Sequence, residues 1–421
     1  MNSHLPLTET IDHLFRKEWG KLVATLTKVF GVHNLQMAED VVQDTLLTAL
    51  NNWKINGLPN NPTAWLYTAA KNKAIDLLRK QSKTSRYINI DNPLLQSEYT
   101  LAQTMTDLVS TNDIDDDQLK MMFVCCNPAL SNEAQVAMVL KTLCGFSVTE
   151  IAKAFLSKYD TIEKRLYRAK QVFKEKNIEF DLPNKESLLA RTETVLLVLY
   201  LVFNEGYNST EHSSLIRNDL MDEAMRLCRL LCNSKKIPKQ NAMALNALMC
   251  FTAARNKARI DKAGNILLLK QQNRSLWDTE LIHAGIFYLE QSADGDSFSK
   301  YHLEAGIAYE HARAETYDKT NWQNILNWYN LLNELYPSPV VALNRAIIVA
   351  EIEGAAKAIE TIQAIPQLSW LKNYYLLPAT LGELYTQLGE TEKAKACFKE
   401  AIQLTKAPKE KKLLEEKLKM L

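Results

Sequence analysis

Basic side chains and one aromatic residue recur at helical spacing in the segment AWLYTAAKNKAIDLLRK, residues 64–80. An amphipathic helix over this segment would bury an apolar face and place Asn72, Asp76 and Arg79 together on another face. Ammonium and guanidinium groups can neutralise phosphates, and the indole of Trp65 can stack on an unpaired base. The pattern suits a nucleic-acid surface, but a charged helix face in water has the same spacing and is the commoner case for one such helix.

A second basic pattern follows the sequence GFSVTE, residues 145–150. Ser147 and Glu150 have the spacing of a capping box, which starts a short helix. After about four connecting residues a second helix is predicted from near Asp160, and its polar outer face is basic and hydroxylic. That outer face consists of Thr161, Lys164, Arg165 and Arg168. This order is typical of a helix-turn-helix that reads the major groove, and an ordinary helical hairpin would also fit it.

An acidic helix face is predicted in the stretch AEDVVQDTLLTALNNW, residues 38–53. Its apolar residues recur so that one side of a helix is buried and the other stays in water. The polar side carries Asp40, Gln43 and Asp44. Because the whole chain has a formal net charge of only +1, any surface that binds an anionic partner must arise from charge segregated in this way.

The composition predicts an all-α protein that is not embedded in a membrane. Only 12 glycines and 12 prolines occur in 421 residues, and the length favours two to four domains. The longest apolar run, residues 194–203, has about half the length needed to cross a bilayer and predicts a buried helix. Since no signal-peptide pattern is visible, we expect a cytoplasmic protein.

The seven cysteines predict reduced thiols, because their number is odd and most lie in apolar helical patterns. Cys228 and Cys232 stand four residues apart and could ligate a metal, but no matching pair follows, so core packing is the better interpretation. The adjacent Cys125 and Cys126 leave redox sensing open as an alternative to packing. We expect no metal and no cofactor.

Changes in composition divide the chain into four segments. Residues 1–88 and 118–180 contain the motifs above, residues 89–117 lose periodicity and predict a linker, and residues 185–421 form long helices. The linker ends in a run of aspartates between residues 113 and 117. These carboxylates either complement the amino-terminal end of the next helix or mimic nucleic acid inside a basic channel.

A helical repeat is predicted near the carboxy terminus. Small and bulky residues follow the tetratricopeptide pattern at Leu381, Gly382, Tyr385, Gly389, Ala394, Phe398 and Ala401. Residues 341–365 resemble a shorter copy, and residues 322–336 begin a further one. Stacked repeats leave a concave surface that binds a protein or peptide, unless the array only stabilises its neighbour.

Three of these segments together resemble the extracytoplasmic-function sigma factors of bacterial RNA polymerase. AEDVVQDTLLTALNNW is similar to the helix that docks on the polymerase clamp, PTAWLYTAAKNKAIDLLRK to the −10 recognition helix, and LCGFSVTEIAKAFLSKYDTIEKRLYRAK to the −35 reader. The tracts DDDQLKMMFVCCNPALS and VLYLVFNEGYNS are similar to the subgroup with a tetratricopeptide-like extension. One departure lies at residues 155–157, where a glycine is more usual in the turn.

The resemblance implies a fold and a set of binding residues. The fold is a sigma region-2 helical bundle, a region-4 helix-turn-helix domain and a carboxy-terminal tetratricopeptide-like α-solenoid. Core RNA polymerase would bind the acidic face defined above. The −35 element of promoter DNA would bind the outer face of the second helix. Residues implied for the −10 element are Asn60, Asn61, Trp65, Lys71, Asn72, Lys73, Arg79 and Lys80.

The sequence leaves alternatives for the role of the carboxy-terminal extension and for the class of protein. Residues 203–207, FNEGY, resemble a signature of the subgroup, and Gly206 is expected to end the preceding helix. The extension would regulate the protein or dock a protein or peptide partner. A helix-turn-helix regulator with a peptide-sensing repeat domain is the rival, but it leaves residues 38–80 without a role. No phosphate loop, nucleophile motif or metal-ligand spacing is present, so we do not expect an enzyme.

Overall fold

The computed structural model describes residues 7–84, 114–154, 157–208, 217–261, 264–294, 298–405 and 407–421. Within these ranges the regular structure is helical, apart from one isolated bridge between Ile260 and Ile266. The predicted all-α fold class is therefore confirmed. The chain divides into two compact units, Met1–Val202 and Phe203–Leu421.

The first unit contains both motif-bearing segments. Its helices are α1 (Leu7–Phe30), α2 (Leu35–Asn56), α3 (Pro62–Thr84), α4 (Ile114–Cys125), α5 (Asn132–Met138), α6 (Val148–Ala154), α7 (Tyr159–Glu175) and the first part of α8 (Lys185–Tyr207). Ser131 caps α5 by accepting a hydrogen bond from the Ala134 N–H at 3.4 Å. The predicted capping box of α6 is confirmed, because the Ser147 and Glu150 side chains each accept the other's backbone N–H.

Helix α1 passes directly over the segment Val139–Leu143, which forms a π-helical turn between α5 and α6. A Cβ atom on Gly20 would lie only 2.1 Å from the Leu143 carbonyl oxygen, so this crossing requires glycine. Trp19 Nε1 donates to the Lys141 carbonyl at 3.1 Å. The segments predicted as separate domains, residues 1–88 and 118–180, are thus packed together in this unit.

The predicted linker ends earlier than expected. Helix α4 begins at Ile114, inside the segment 89–117, and residues 85–113 lie outside the described residues. The Asp117 side chain is only 1% exposed and forms an ion pair with Lys28 of α1 at 3.0 Å. This carboxylate therefore belongs to the fold of the unit, which contradicts a role for it as a mimic of nucleic acid.

The second unit is an array in which each helix packs against the next. Its helices, after the end of α8, are α9 (Asn218–Asn233), α10 (Gln240–Ala253), α11 (Thr279–Ser292), α12 (Lys300–Arg313), α13 (Trp322–Leu335), α14 (Pro339–Glu353), α15 (Ala355–Gln363), α16 (Leu376–Gln387), α17 (Thr391–Leu404) and α18 (Pro408–Lys419). The four alanines of the repeat pattern, Ala346, Ala358, Ala394 and Ala401, are completely buried, whereas Gly354 and Gly389 are exposed at helix ends with positive φ. The alanines let paired helices approach closely, as the spacing predicted.

Gly206 does not end its helix, contrary to the expectation. Helix α8 continues through it to Tyr207, and Gly206 is buried. A Cβ atom at this position would lie 2.7 Å from Cγ of Met221 and 2.9 Å from Cβ of Leu220. The glycine is needed because the segment that starts α9 packs against α8 at this point.

The cysteines are expected to be poorly reactive in the folded protein. Six are buried and Cys397 is half-buried, and burial raises the pKa of Cys126 to about 12. Since the thiolate is the reactive form, we expect Ellman's reagent at pH 8 to label at most Cys397 quickly and all seven thiols after denaturation. A Cys397→Ser variant is the control and should show no fast phase. Fast labelling of Cys125 or Cys126 would restore the redox-sensing alternative.

Candidate protein and nucleic-acid interfaces

Helix α2 presents the predicted acidic face to solvent. Asp40, Gln43 and Asp44 are all exposed, while Val42, Ala49 and Trp53 on the opposite side are buried. Leu47 lies one turn beyond Asp44 and is 51% exposed. A single exposed leucine is ordinary on a protein surface, and beside these carboxylates it can add an apolar contact to a partner. Sequence analysis missed Leu47, although its position one turn after Asp44 could have indicated it.

Side chains at the edge of this face are joined to helix α7 by a buried ion pair. The Lys170 ammonium donates to Glu39 Oε2 at 2.5 Å and to Gln36 Oε1 at 2.6 Å. The Gln36 amide in turn donates to Asp40 Oδ1 at 2.8 Å. The Thr142 hydroxyl also donates a hydrogen bond to Glu39 Oε1 at 3.4 Å. Asp40, which is predicted to bind polymerase, is thus connected through Gln36 to Lys170 of the predicted −35 helix.

The amino-terminal end of α3 is fixed by two of the predicted −10 residues. Asn61 Oδ1 accepts the backbone N–H of Ala64 at 3.0 Å and so caps the helix, while Asn60 is exposed. Trp65 is half-buried and contacts the ring of Trp53 edge-on, with 5.5 Å between centroids. Trp65 therefore packs α3 on α2 and Asn61 caps α3, two roles that the base-reading interpretation did not include.

The rest of α3 exposes a basic surface. Asn72, Arg79 and Lys80 are exposed, and Lys71 and Lys73 are half-buried. Arg79 lies 3.9 Å from Asp76, but both side chains are largely in solvent, at 45% and 69% exposure. An exposed pair of this kind contributes little stability and is screened by salt, so the guanidinium can exchange the carboxylate for a phosphate.

Helix α7 and helix α5 form the walls of a groove of about 390 Å³ that contains all four predicted −35 residues. Thr161, Lys164 and Arg168 are exposed and Arg165 is half-buried. The buried side of α7 consists of Ile162, Leu166, Ala169 and Phe173, as the periodicity predicted. Positive charge therefore lies along one wall of a solvent-accessible groove, which suits binding to a phosphate backbone.

One aromatic side chain of α7 was missed by the sequence analysis. Tyr167 is 63% exposed and lies next to Arg168, one turn after Lys164. An exposed tyrosine can contact a sugar or a base edge as well as a phosphate. Its signal was its position among the basic residues of the helix, since Tyr167 and Tyr159 are exposed while the large apolar residues face inward. Residues 155 and 156, the predicted departure in the turn, lie outside the described residues.

Comparison with known proteins identifies two domains of the chain and one relative of most of its length. Residues 14–84, which span most of α1 and all of α2 and α3, match sigma-70 region 2, and residues 379–408 match a tetratricopeptide repeat. The chain therefore contains a sigma-70 region 2 domain and a tetratricopeptide repeat. It belongs to the same family as uncharacterized protein R00370 of Rhizobium meliloti (strain 1021), with 35% identity over 372 residues, which is 88% of this chain and 86% of the relative.

Two further comparisons concern the rest of the chain. Residues 191–293 match a family of unknown function, DUF6596. No solved structure matches the chain. In the described ranges, no helix combines the length and hydropathy of a membrane span. The same ranges contain no group of three or more His, Cys, Asp or Glu side chains placed to hold a metal ion.

The ion pair between Lys170 and Glu39 predicts a specific stability effect. Its side chains are only 18% and 4% exposed, and loss of one partner of a buried pair costs about 3–5 kcal/mol. We expect Lys170→Met to lower the free energy of unfolding by about 3 kcal/mol in urea titrations, and Glu39→Met with Lys170→Met to recover most of it. Lys174→Met, an exposed position on the same helix, is the control. If Lys170→Met and Lys174→Met lower the free energy of unfolding equally, the prediction is wrong.

Proposed function

We propose that the chain is a sigma factor of the extracytoplasmic-function type, which binds core RNA polymerase and directs it to promoters. The match of α1–α3 to sigma-70 region 2, combined with the exposed acidic and basic faces inside it, carries this proposal. The protein works by binding alone and makes no covalent chemistry. It acts in the cytoplasm, where the core enzyme and the promoters are.

Helix α2 binds a basic surface of the polymerase clamp in this proposal. The carboxylates of Asp40 and Asp44 supply the charge, Gln43 a hydrogen-bonding side chain and Leu47 an apolar contact at the centre of the face. Charged contacts at such an interface fix orientation and raise the association rate more than they raise affinity. The apolar contact adds affinity that salt does not screen.

Helix α3 and the loop before it bind the −10 element. Lys71, Lys73, Arg79 and Lys80 neutralise phosphates, while exposed Asn60 and Asn72 reach base edges. The Asn61 side-chain carbonyl is occupied as the helix cap, which leaves its amide group for a base contact. Trp65 presents only its exposed part to an unpaired base, since the remainder packs on Trp53.

Helix α7 binds the −35 element through the groove that it shares with α5. Arg165 and Arg168 can donate two hydrogen bonds each to a guanine edge, and Lys164 and Thr161 reach phosphates or bases. Lys170 on the same helix does not face this groove. Its ion pair with Glu39 keeps α7 against α2.

The second unit acts as a built-in regulator or as a docking surface for a protein or peptide partner. The tetratricopeptide match supports this role. The rival, a helix-turn-helix regulator with a peptide-sensing repeat domain, gives no function to residues 14–84, which match sigma-70 region 2. Binding to core polymerase separates the two proposals, because the rival does not require it.

Charge reversal on α2 tests the proposed polymerase contact. Asp44→Lys places a cation against the basic clamp surface, and we expect the affinity for purified core polymerase to fall by about tenfold, which corresponds to about 1.4 kcal/mol. Biolayer interferometry at two salt concentrations measures the loss, which should shrink at high salt. Glu175→Lys, an exposed charge reversal on α7, is the matched control. If both variants bind alike, α2 is not the contact.

Truncation of one side chain on α7 tests the proposed −35 contact. We expect Arg165→Ala to lose about 1–3 kcal/mol of discrimination at one base pair, while other positions keep their ranking. In vitro transcription from a library of −35 variants, with sequencing of the transcripts, measures this. Lys174→Ala on the same helix should leave every ranking unchanged. A ranking that Arg165→Ala does not alter would remove this residue from the reader.

A further inference from the structure

The second unit contains a cavity of about 480 Å³. Its walls come from α14, α16, α18 and the irregular segment that follows α10. This volume lies in the range of about 300–1,000 Å³ that is usual for small-molecule sites. The cavity combines residues of the DUF6596 match with residues of the tetratricopeptide match, so neither segment forms it alone.

Most of the cavity wall is apolar. The aliphatic side chains that line it include Ile266, Leu268, Leu269, Ile347, Leu376 and Leu413. Leu268 and Ile347 are each 38% exposed. Aliphatic side chains that face an open cavity lose contact partners, and an apolar ligand restores those contacts and displaces water.

The carboxylates of the wall are paired with donors of the same unit. Glu351 accepts a hydrogen bond from Tyr317, and burial together with this carboxylate raises the pKa of the phenol. Glu410 is paired with Tyr375 and accepts the Thr405 hydroxyl at 3.0 Å. Glu383 forms an ion pair with Lys417. Each carboxylate therefore already has its hydrogen-bond donor.

The cations of the wall balance these carboxylates. The lining contains three cationic residues, Arg259, Lys270 and Lys417, and three glutamates, so its formal charge is zero. The Arg259 guanidinium lies 3.5 Å from the ring centroid of Tyr207 and donates to the Tyr207 carbonyl at 2.6 Å and to Asn208 Oδ1 at 2.5 Å. The FNEGY segment singled out in the sequence thus leads to the edge of the cavity, where Asn208 lines it.

We propose that this cavity binds an uncharged, largely apolar small molecule. An anionic ligand such as a nucleotide would need an excess of cationic groups, whereas the lining carries three cations and three carboxylates and has no net charge. A cationic ligand would have to compete with Lys417, Tyr317 and Tyr375 for the same carboxylates. A neutral apolar molecule leaves all of these pairs in place.

The full-length protein can be titrated with N-phenyl-1-naphthylamine, a neutral apolar dye whose fluorescence rises in apolar surroundings. We expect saturable binding of one dye per chain. Ile347→Trp should weaken it at least tenfold, because the indole fills the cavity. Ile352→Trp is the matched control, since this isoleucine lies on the same helix, is 39% exposed and does not line the cavity.

A second variant and a charged dye complete the test. Thr380→Trp on α16 fills the cavity from the other side and should also weaken binding, with the helical circular dichroism signal unchanged. The anionic dye 1-anilinonaphthalene-8-sulfonate should bind this site at least tenfold more weakly. Non-saturable binding, equal affinities in Ile347→Trp and Ile352→Trp, or equal affinities for the two dyes at this site would each overturn the proposal.

Discussion

The first unit depends on a buried ion pair between residues that are 131 positions apart, Glu39 and Lys170. Removing both charges from water is costly, and hydrogen bonds from Thr142 to Glu39 and from Lys170 to Gln36 offset part of that cost. Hydrophobic side chains could join α2 to α7 at least as strongly. What the ion pair adds is a defined orientation, in which α7 turns its basic side outward while α2 keeps its acidic face exposed.

Local patterns in the sequence predicted the faces of these helices correctly. The buried side of α7, the capping box at Ser147 and the exposure of Asp44 all follow from residues within one or two turns of each other. The packing between the motif-bearing segments did not follow, because it depends on long-range pairs such as Asp117 with Lys28. A single sequence does not distinguish a glutamate or aspartate that is buried in an ion pair from one that is exposed to solvent.

In the second unit, too, local patterns were predicted from the sequence and long-range contacts were not. Alanines at fixed offsets predicted the helix pairs, since small residues are needed wherever two helices approach closely. The cavity could not be predicted, because Asn208 and Lys417 line it from nearly opposite ends of this unit. Gly206 was misinterpreted for a related reason: a glycine at a helix end usually stops the helix, and only the position of Met221 reveals the need for close contact.

The π-helical turn at Val139–Leu143 makes the length of this stretch as important as its residue types. The N–H of Cys144 bonds to the carbonyl of Val139, five residues back, so the turn holds one residue more than an α-helix would. The Lys141 carbonyl that accepts the Trp19 indole N–H lies within this turn, so a change in the length of the turn would change the carbonyl groups that meet α1. An inserted or deleted residue in this stretch is therefore expected to alter the crossing of α1 as well as the turn itself.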